Sequence, residues 1–412
     1  MLARALILIE GHARGNGPRY VEAARRLGLY PVTLSNDPTK YRYLEAERSE
    51  VIRVDTNNID ALISKCNAVR VAHGIAGITG FSGDDESVYA TVGKLCGYFD
   101  LPGPNPTSVL ACYDKSVQRR LLEQAGVPVP AFRVANNPEE IEQLVAELGL
   151  PVVLKPAIGI GSIGVRLCRT MEEVANHKTD LLDGNREALS LPKVLVEEFA
   201  QGPYYCVNLM GHEIVGVAAA EFSPPPHFVY RDTTVPAALT DYGGKHITEV
   251  SRSCLRALDL GWGPTNIELR WTDRGPVVIE VNPRLAGAPD PQLIQLAFGV
   301  DLIAEHVKLI IGDKWDLRRT HLHTAASRNL VPNDDGILEW ISGVNEAAAL
   351  PGVAEVQMYV TPNTPIVRKG DFRDLMGRVV VSSPDRAQTE TILQCATDLI
   401  GWSIKPMPVV SE

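Results

Sequence analysis

The sequence predicts a mixed α/β and α+β fold, and three observations lead to that prediction. In the N-terminal quarter, apolar strand-like runs alternate with amphipathic helical stretches, as in a parallel α/β domain. Further along, apolar segments flank glycine-rich turns at the spacing of hairpins. Toward the end, strands near Thr324–Leu330, Val356–Tyr359 and Arg378–Ser382 precede a helix over Arg386–Leu399, which predicts a small α+β lobe.

Changes of pattern along the chain predict its division into structural units. A cluster of Gly and Pro over Leu101–Ser108 marks the first boundary, since such clusters interrupt helices and strands. The predicted units are an α/β domain over 1–110, a glycine-loop segment over 111–192, a segment with a polar-faced hairpin over 193–315 and the C-terminal α+β lobe over 316–412.

Composition excludes several classes of partner. The chain has 412 residues, 45% of them hydrophobic, and carries a net charge of −10. No Lys/Arg run exceeds two residues, so nucleic acid and anionic membranes are not expected as partners. The apolar run Ala5–Ile9 is too short for a signal peptide or a membrane span, and a cytoplasmic location is expected. The cysteines lack C-x-x-C spacing, which argues against a disulfide framework or a zinc site: Cys66, Cys96, Cys112, Cys168, Cys206, Cys254 and Cys395.

One predicted hairpin carries polar residues at alternate positions of apolar strands. The strands are 266–271 and 277–282, and the sequence predicts a three-residue loop over 273–275 with Gly275 in the left-handed conformation. Thr272 then faces Pro276. The predicted core face consists of Ile267, Leu269, Trp271, Val277, Ile279 and Val281. The predicted chemical face consists of Asn266, Glu268, Arg270, Val278, Glu280 and Asn282.

In this register Glu268 lies directly opposite Glu280. Like charges placed so are destabilising unless a cation lies between them. Oxygen ligands from two acids and the Asn282 amide suit Mg²⁺ or Mn²⁺. A solvated polar face with Arg270 as counter-ion is the simpler alternative, and the hairpin alone leaves both interpretations open.

A second hairpin contains a loop over Ile158–Gly164 with more glycine than a turn requires. Exposed backbone N–H groups of this kind can bind phosphate oxygens. The loop is not a Walker A motif, because no Gly-Lys-Ser/Thr follows and no helix begins after it. Lys155 lies on the apolar strand before the loop, where a lysine rarely serves packing. A snorkelling lysine beside a flexible turn is the alternative.

Three other patterns favour ordinary structural roles. The loop with Gly11, Gly15 and Gly17 lacks the G-x-G-x-x-G spacing of a dinucleotide site. His321 and His323 could share a strand face as metal ligands, but without a nearby third ligand we interpret them as polar residues at a strand end. No Ser or Cys has a recognisable paired base, so a nucleophilic mechanism has little support.

Taken in order, the polar motifs resemble the ATP-grasp superfamily. The flanking segments fit the α/β domain that precedes such a core and the C-terminal piece that closes it. The resemblance implies an ATP-grasp fold with 111–192 as its lid subdomain. The ordered set runs from about residue 111 to 312 and comprises Asp114-Lys115, the Lys155 strand with its glycine loop, Glu197-Glu198-Phe199, Glu268 and Glu280-x-Asn282-Pro283-Arg284.

The resemblance implies a role for each matching residue. The implied roles are phosphate binding, adenine binding, metal binding, and stabilisation of an acyl phosphate. The residues implied to bind phosphate are Lys115 and Lys155 with the lid residues Gly159, Gly161, Ser162 and Gly164, and those implied to bind adenine are Glu197, Glu198, Phe199 and Ala200. The residues implied to hold two Mg²⁺ or Mn²⁺ ions are Glu268, Glu280 and Asn282, with Glu280 bridging. The residue implied to stabilise the acyl phosphate is Arg284, which is catalytic together with Lys155.

Within the superfamily, Val281–Leu285 and the helix beginning near Gln292 resemble the carboxylate–amine ligases of the L-amino-acid ligase group. The resemblance implies an enzyme that uses ATP to join a small-molecule carboxylate to an amine through an acyl phosphate, and it is compatible with a homodimer. A carboxylase-like or purine-pathway ATP-grasp ligase is one alternative. A non-catalytic nucleotide-binding regulator is another.

Two departures from the family pattern affect ligand contacts. Tyr204 follows the Gly202-Pro203 pair where relatives usually have a Glu that contacts ribose. Tyr230 and Thr233 stand where relatives often carry Glu-x-x-His before a Pro. The second departure predicts substrates other than the common ones.

Overall fold

The computed structural model describes residues 4–12, 15–81, 86–183 and 193–407. Its first elements are β1 (Ala5–Ile9), α1 (Gly17–Arg26), β2 (Tyr30–Ser35), α2 (Arg42–Ala46), β3 (Glu50–Arg53), α3 (Ile59–His73), β4 (Ile75–Gly80) and α4 (Val88–Phe99). The strands are parallel and adjacent in the order β3-β2-β1-β4. Their apolar residues are buried against α3 and α4. The predicted parallel α/β unit is therefore confirmed.

The next elements build a small antiparallel sheet, with the strands in the order β5-β8-β6-β7. They are α5 (Pro106–Tyr113), α6 (Lys115–Gln124), β5 (Phe132–Ala135), α7 (Ile141–Leu148), β6 (Val152–Pro156), β7 (Arg166–Cys168), α8 (Met171–Asp183) and β8 (Val194–Glu198). Strands β6 and β7 pair as an antiparallel hairpin around the glycine loop, as predicted. Lys155 lies on β6 opposite Leu195 of β8.

The following segment supplies the central strands and three further helices. Its elements are β9 (Tyr204–Met210), β10 (Glu213–Phe222), β11 (Tyr230–Val235), α9 (Asp241–Ala257), β12 (Pro264–Thr272), β13 (Gly275–Asn282), α10 (Asp290–Phe298) and α11 (Leu302–Ile310). Apolar residues of α9 pack on one face of β9, β12 and β13. The opposite face of these strands is therefore left to form the site.

The C-terminal elements extend the same sheet. They are β14 (Thr324–Leu330), β15 (Gly336–Ser342), α12 (Val344–Ala348), β16 (Val353–Met358), β17 (Pro365–Ile366), β18 (Gly377–Ser383), α13 (Arg386–Leu399) and β19 (Gly401–Lys405). Across the described ranges, the central sheet runs β13-β12-β9-β10-β11-β14-β18-β16, and β17-β15-β19 form a smaller sheet. The expected C-terminal strands and helix are present, and the strands β14, β16 and β18 belong to the same sheet as β12 and β13. No helix within 4–12, 15–81, 86–183 or 193–407 is long and apolar enough to cross a membrane.

The polar-faced hairpin has the predicted acid pair but not the predicted turn. Thr272 pairs with Gly275, so the turn consists of residues 273 and 274 alone. A bulge at Ile279 then shifts the register by one residue, and Glu268 still pairs with Glu280. The predicted three-residue loop is therefore wrong, because the extra residue lies in the strand.

The bulge also changes which face three residues of β13 occupy. Val278 pairs with Leu269 in the apolar core, although it was predicted on the chemical face. Val277 pairs with Arg270, and Ile279 lines the cavity described below, although both were predicted on the core face. Strict alternation fails at a bulge, since two residues there oppose one.

Candidate active site

A cavity of about 440 Å³ lies where the N-terminal unit, the small antiparallel sheet and the central sheet meet. Among the predicted site residues, only Gly164 and Asn282 are absent from its lining. Those that line it are Lys115, Lys155, Gly159, Gly161, Ser162, Glu197, Glu198, Phe199, Ala200, Glu268, Glu280 and Arg284.

The paired acids of the hairpin share the buried side of the cavity. Burial and the neighbouring Glu280 raise the pKa of Glu268 to about 7. Burial acts in the same direction on Glu280, but the Lys115 and Lys155 ammonium groups outweigh it and lower the pKa of Glu280. Glu280 is therefore charged at neutral pH, whereas Glu268 titrates there. The Tyr204 hydroxyl donates a hydrogen bond to Glu268.

The donor set around these acids fits a divalent cation. Asn282 is 3% exposed, and its amide nitrogen has no hydrogen-bond partner among the described residues. Asn266, its neighbour across the strand pair, leaves its amide oxygen unpaired. The two carboxylates and the unpaired Asn266 amide oxygen line one cavity and are hard oxygen donors, which Mg²⁺ and Mn²⁺ prefer.

Lys115 connects the paired acids of the hairpin to the glycine loop. Its ammonium group lies 3.0 Å from a Glu280 oxygen and donates a hydrogen bond of 2.6 Å to the carbonyl of Gly159. Burial opposes its charge, but Glu280 and Glu86 raise the pKa of Lys115. The lysine is therefore charged and positioned at the first residue of α6.

Lys155 belongs to a buried ion-pair network that the sequence patterns did not reveal. Its ammonium lies 2.6 Å from Glu197, and Arg119 lies 2.7 Å from the same carboxylate. Burial lowers the pKa of Lys155, with Glu197 acting in the opposite direction. The Glu197 carboxylate, which the family resemblance assigned to adenine, thus has two cationic partners within the protein.

Helix α6 also holds the bulged edge strand. The Arg119 guanidinium donates hydrogen bonds to the carbonyls of Val278 and Ile279 at 3.0 and 2.7 Å. The Gln118 amide both donates to the carbonyl of Val281 and accepts from its N–H, at 2.8 and 2.9 Å. These bonds satisfy backbone groups that an edge strand leaves unpaired. In the sequence, Gln118 and Arg119 stand out as polar residues on the buried face of an amphipathic helix, and that pattern could have indicated their role.

The glycine loop is closed by the C-terminal segment. Phe372 donates its backbone N–H to the carbonyl of Gly161 at 3.2 Å, and both line the cavity. Gly161 has a φ of 58°, and a Cβ there would approach the Phe372 ring to 2.4 Å. Gly164, outside the lining, accepts a hydrogen bond from His177 at 3.0 Å. The loop is therefore anchored at both places.

Arg284 follows β13 and reaches the N-terminal unit. Its Nε donates to a Glu86 carboxylate oxygen at 2.7 Å, and a second guanidinium nitrogen contacts the same oxygen. Burial opposes the charge, but Glu86 raises the pKa of Arg284. Sequence analysis missed Glu86, which is 198 positions away along the chain.

Another part of the wall is aromatic. The Arg270 guanidinium lies 5.6, 5.3 and 5.9 Å from the ring centroids of Phe199, Tyr204 and Phe222. Such distances favour cation–π attraction. Arg270 is therefore held by rings and by the Gly202 carbonyl at 2.7 Å, and it is not the counter-ion of the paired acids that the simpler alternative required.

A glycine loop, buried lysines and paired acids around one cavity define an enzyme that handles a nucleoside triphosphate with divalent cations. Family models agree with this class. Residues 114–318 match the carbamoyl-phosphate synthase L chain ATP-binding domain, and residues 328–405 match the L-amino acid ligase C-terminal domain 2. The chain belongs to the ATP-grasp superfamily of ADP-forming ligases, whose members bind ATP with Mg²⁺.

Curated relatives include proteins of different lengths. The chain is 54% identical over 405 residues to the uncharacterized protein y4rH of Sinorhizobium fredii, covering 98% of this chain and 84% of that one. It is 27% identical to human carnosine synthase 1 over 74% of this chain and 39% of that protein, so it spans well under half of that relative. It is 22% identical to the L-arginine-specific L-amino acid ligase of Bacillus subtilis, over 66% of this chain and 67% of that one.

Solved structures share the fold. The L-amino acid ligase from Bacillus licheniformis superposes with a TM-score of 0.80 at 18% identity, covering 98% of this chain and all of that one. The biotin carboxylase domain of the Hydrogenobacter thermophilus 2-oxoglutarate carboxylase, solved with MgADP and bicarbonate, gives 0.73 at 17% identity, covering 98% and 92% of the two chains.

Proposed function

We propose that the protein is a carboxylate–amine ligase that activates a small carboxylic acid as an acyl phosphate and couples it to an amine. The observation that carries this proposal is the common cavity. Arg284, the Glu268–Glu280 pair and the lysines line one space, so an acid held by the arginine would lie beside the γ-phosphate of ATP.

Each group of residues has a part in this proposal. Lys115, Lys155 and the backbone of the glycine loop hold the phosphates, while Glu198, Phe199 and Ala200 border the adenine. Glu268, Glu280 and Asn282 would hold two Mg²⁺ ions, which neutralise charge on the phosphates. The closed loop keeps water from a reactive intermediate.

Two successive bond exchanges complete the reaction. A carboxylate oxygen attacks the γ-phosphorus, and the bond from that phosphorus to ADP breaks. The amine nitrogen then attacks the acyl carbon, the carbon–oxygen bond to phosphate breaks, and the amide and phosphate are released. Arg284 stabilises the negative charge that develops on the acyl oxygens, as preorganised donors do in other acyl transfers.

The named relatives support this choice among ATP-grasp chemistries. The C-terminal family match and the Bacillus ligases carry L-amino acid ligase in their descriptions. The human relative is named for the synthesis of carnosine. Amino acids are therefore the first acids and amines to test.

Hydroxylamine trapping tests the proposal without knowledge of the amine. The enzyme is incubated with Mg-ATP, hydroxylamine and one acid at a time, and ADP and hydroxamate are measured together. We expect equal amounts of both with the correct acid and neither with Arg284→Ala. AMP with pyrophosphate would refute the acyl phosphate, and ATP binding without cleavage across a broad acid panel would favour a regulator.

A carboxylase-like or purine-pathway ligase is the second candidate, since the biotin carboxylase domain shares the fold over nearly the whole chain. That candidate expects ADP formation that depends on bicarbonate. Bicarbonate-dependent cleavage with no response to any other acid would replace the first proposal by the second.

A further inference from the structure

We propose that Asp290 binds the ammonium group of the amine substrate, an inference that rests on the proposed ligase function. The substrate class it names is a primary amine that arrives in its charged form. Asp290 has no counterpart among the residues to which the sequence motifs gave a role.

Asp290 is a buried acid without a cationic partner in the described part of the chain. It is the first residue of α10, it is 5% exposed, and it lines the same cavity as Glu268 and Arg284. No Lys, Arg or His in 4–12, 15–81, 86–183 or 193–407 forms an ion pair with its carboxylate. An ionised carboxyl buried without a cation is unfavourable, so a ligand that supplies one would be stabilised.

The side chains that respond to the charge of Asp290 are uncharged. Asp290 acts electrostatically on Cys206 and Tyr230, whose Sγ and hydroxyl oxygen lie 3.3 Å apart. Burial raises the pKa of both groups well above the usual values, so both are neutral. Burial also raises the pKa of Asp290 to about 7, with the neutral Asn208 amide acting in the opposite direction. The surroundings thus offer dipoles but no positive charge.

Asp290 shares its cavity with the residues proposed to act on the acid. Cys206 is the direct partner of Glu268 in the pairing of β9 with β12, and both line the cavity together with Asp290 and Arg284. An ammonium held by Asp290 would therefore lie in the same space as the proposed acyl phosphate.

This position also suits the proton transfer that coupling needs. The ammonium gives one proton to the Asp290 carboxylate, which becomes a neutral carboxyl, and the freed nitrogen lone pair attacks the acyl carbon. The second nitrogen proton leaves with the departing phosphate. A carboxyl that titrates near neutrality can serve as such an acceptor.

A purely structural role at the start of a helix is the rival explanation, since acids stabilise helix N-termini. Asp241 provides a matched control, because it is the first residue of α9 but is exposed and lies outside the cavity lining. Asp241→Asn removes the same charge from the same helix position.

The test uses the full chain, Mg-ATP and the acid found by hydroxamate trapping, with hydroxylamine and methylammonium chloride as competing nucleophiles. Hydroxylamine is largely uncharged at neutral pH and needs no carboxylate partner. For Asp290→Asn we expect the ratio of methylamide to hydroxamate to fall at least about tenfold, while hydroxamate formation stays within about twofold of wild type. Asp241→Asn should leave the ratio unchanged. The melting temperature of Asp290→Asn should not fall, since a buried charge is removed.

Each other outcome contradicts the proposal. An unchanged ratio, or an equal loss of both products, would assign Asp290 to structure. Wild-type enzyme that forms hydroxamate but no amide from methylammonium or from any amino acid would exclude an ammonium subsite while leaving acid activation intact. Wild-type enzyme that forms no hydroxamate with any acid would refute the ligase function and this subsite together.

Discussion

The cavity has two walls that differ in how their charges are compensated. On the wall built by α6, β6, β8 and β13, Lys155 and Arg119 balance Glu197, and Lys115 balances Glu280. On the wall built by α10 and β9, Asp290 has no cationic partner in the described part of the chain. A compensated wall is preorganised before the ligand binds, whereas an uncompensated acid requires charge from the ligand itself.

Removing an acid from the compensated wall should have the largest effect. Glu280→Gln leaves Lys115 without its partner and removes a charged oxygen ligand for Mg²⁺, so we expect turnover at saturating ATP to fall by at least about 100-fold. The far-ultraviolet circular dichroism spectrum should not change. Steady-state ADP formation at varied Mg²⁺ is the measurement, and turnover equal to wild type would remove Glu280 from the metal site.

Breaking the ion-pair network should reduce stability. Arg119→Met leaves the Glu197 charge with a single partner and frees two carbonyls of the bulged strand, so we expect a loss of about 3–5 kcal/mol in the free energy of unfolding. Arg120→Met is the matched control, because Arg120 is the next residue of α6 and is exposed. Urea denaturation of both variants provides the measurement. Equal losses of unfolding free energy in the two variants would mean that the buried ion-pair network does not contribute to stability.

The contact between the glycine loop and Phe372 should give a smaller effect. Gly161→Ala places a Cβ at positive φ and against the Phe372 ring, so we expect a loss of about 1–2 kcal/mol and a higher KM for ATP. Gly159→Ala is the control, since a Cβ there meets nothing nearer than 3.9 Å. Similar KM values for the two variants would argue against closure of the loop by Phe372.

The uncompensated wall should produce the smallest effect, as a dependence of stability on pH. The pKa of Asp290 is raised on folding, so the folded state binds more protons between the unfolded and folded pKa values, and stability falls as pH rises through that window. The groups facing the carboxyl, Cys206, Tyr230 and Asn208, are neutral there. Relative to wild type, Asp290→Asn should therefore gain melting temperature as the pH rises from about 4 to about 7. A difference in melting temperature that is constant across this range would contradict the shift.

Local patterns were enough to predict the compensated wall only in part. Period-two alternation identifies Glu268 and Glu280 as neighbours, because side-chain direction in a strand depends on adjacent residues alone. The bulge at Ile279 was not predictable, since it depends on hydrogen bonds from Arg119, which lies on a helix far away in the sequence. The prediction of the hairpin made two errors, a loop that was one residue too long and a missed bulge in the strand. The two errors cancel at the acid pair, so Glu268 still pairs with Glu280.

The partners of the charged residues were beyond local patterns altogether. Glu86 lies 198 positions from Arg284, and Arg119 lies 78 positions from Glu197, so no window of sequence contains both members. Asp290 follows a loop that carries no strand or helix period, and only the fold shows that it is buried in the cavity. The sequence therefore predicted the elements and the pairing of Glu268 with Glu280, while the charge balance between elements required the structure.

The central claim is that a carboxylate oxygen of the substrate becomes bonded to phosphorus. Transfer of heavy oxygen tests it most directly: the acid is labelled in its carboxylate, turned over with Mg-ATP and amine, and the released phosphate is examined by mass spectrometry. An acyl-phosphate mechanism gives one labelled oxygen in each phosphate, with ADP as the other product. Unlabelled phosphate, or label in AMP, would contradict it.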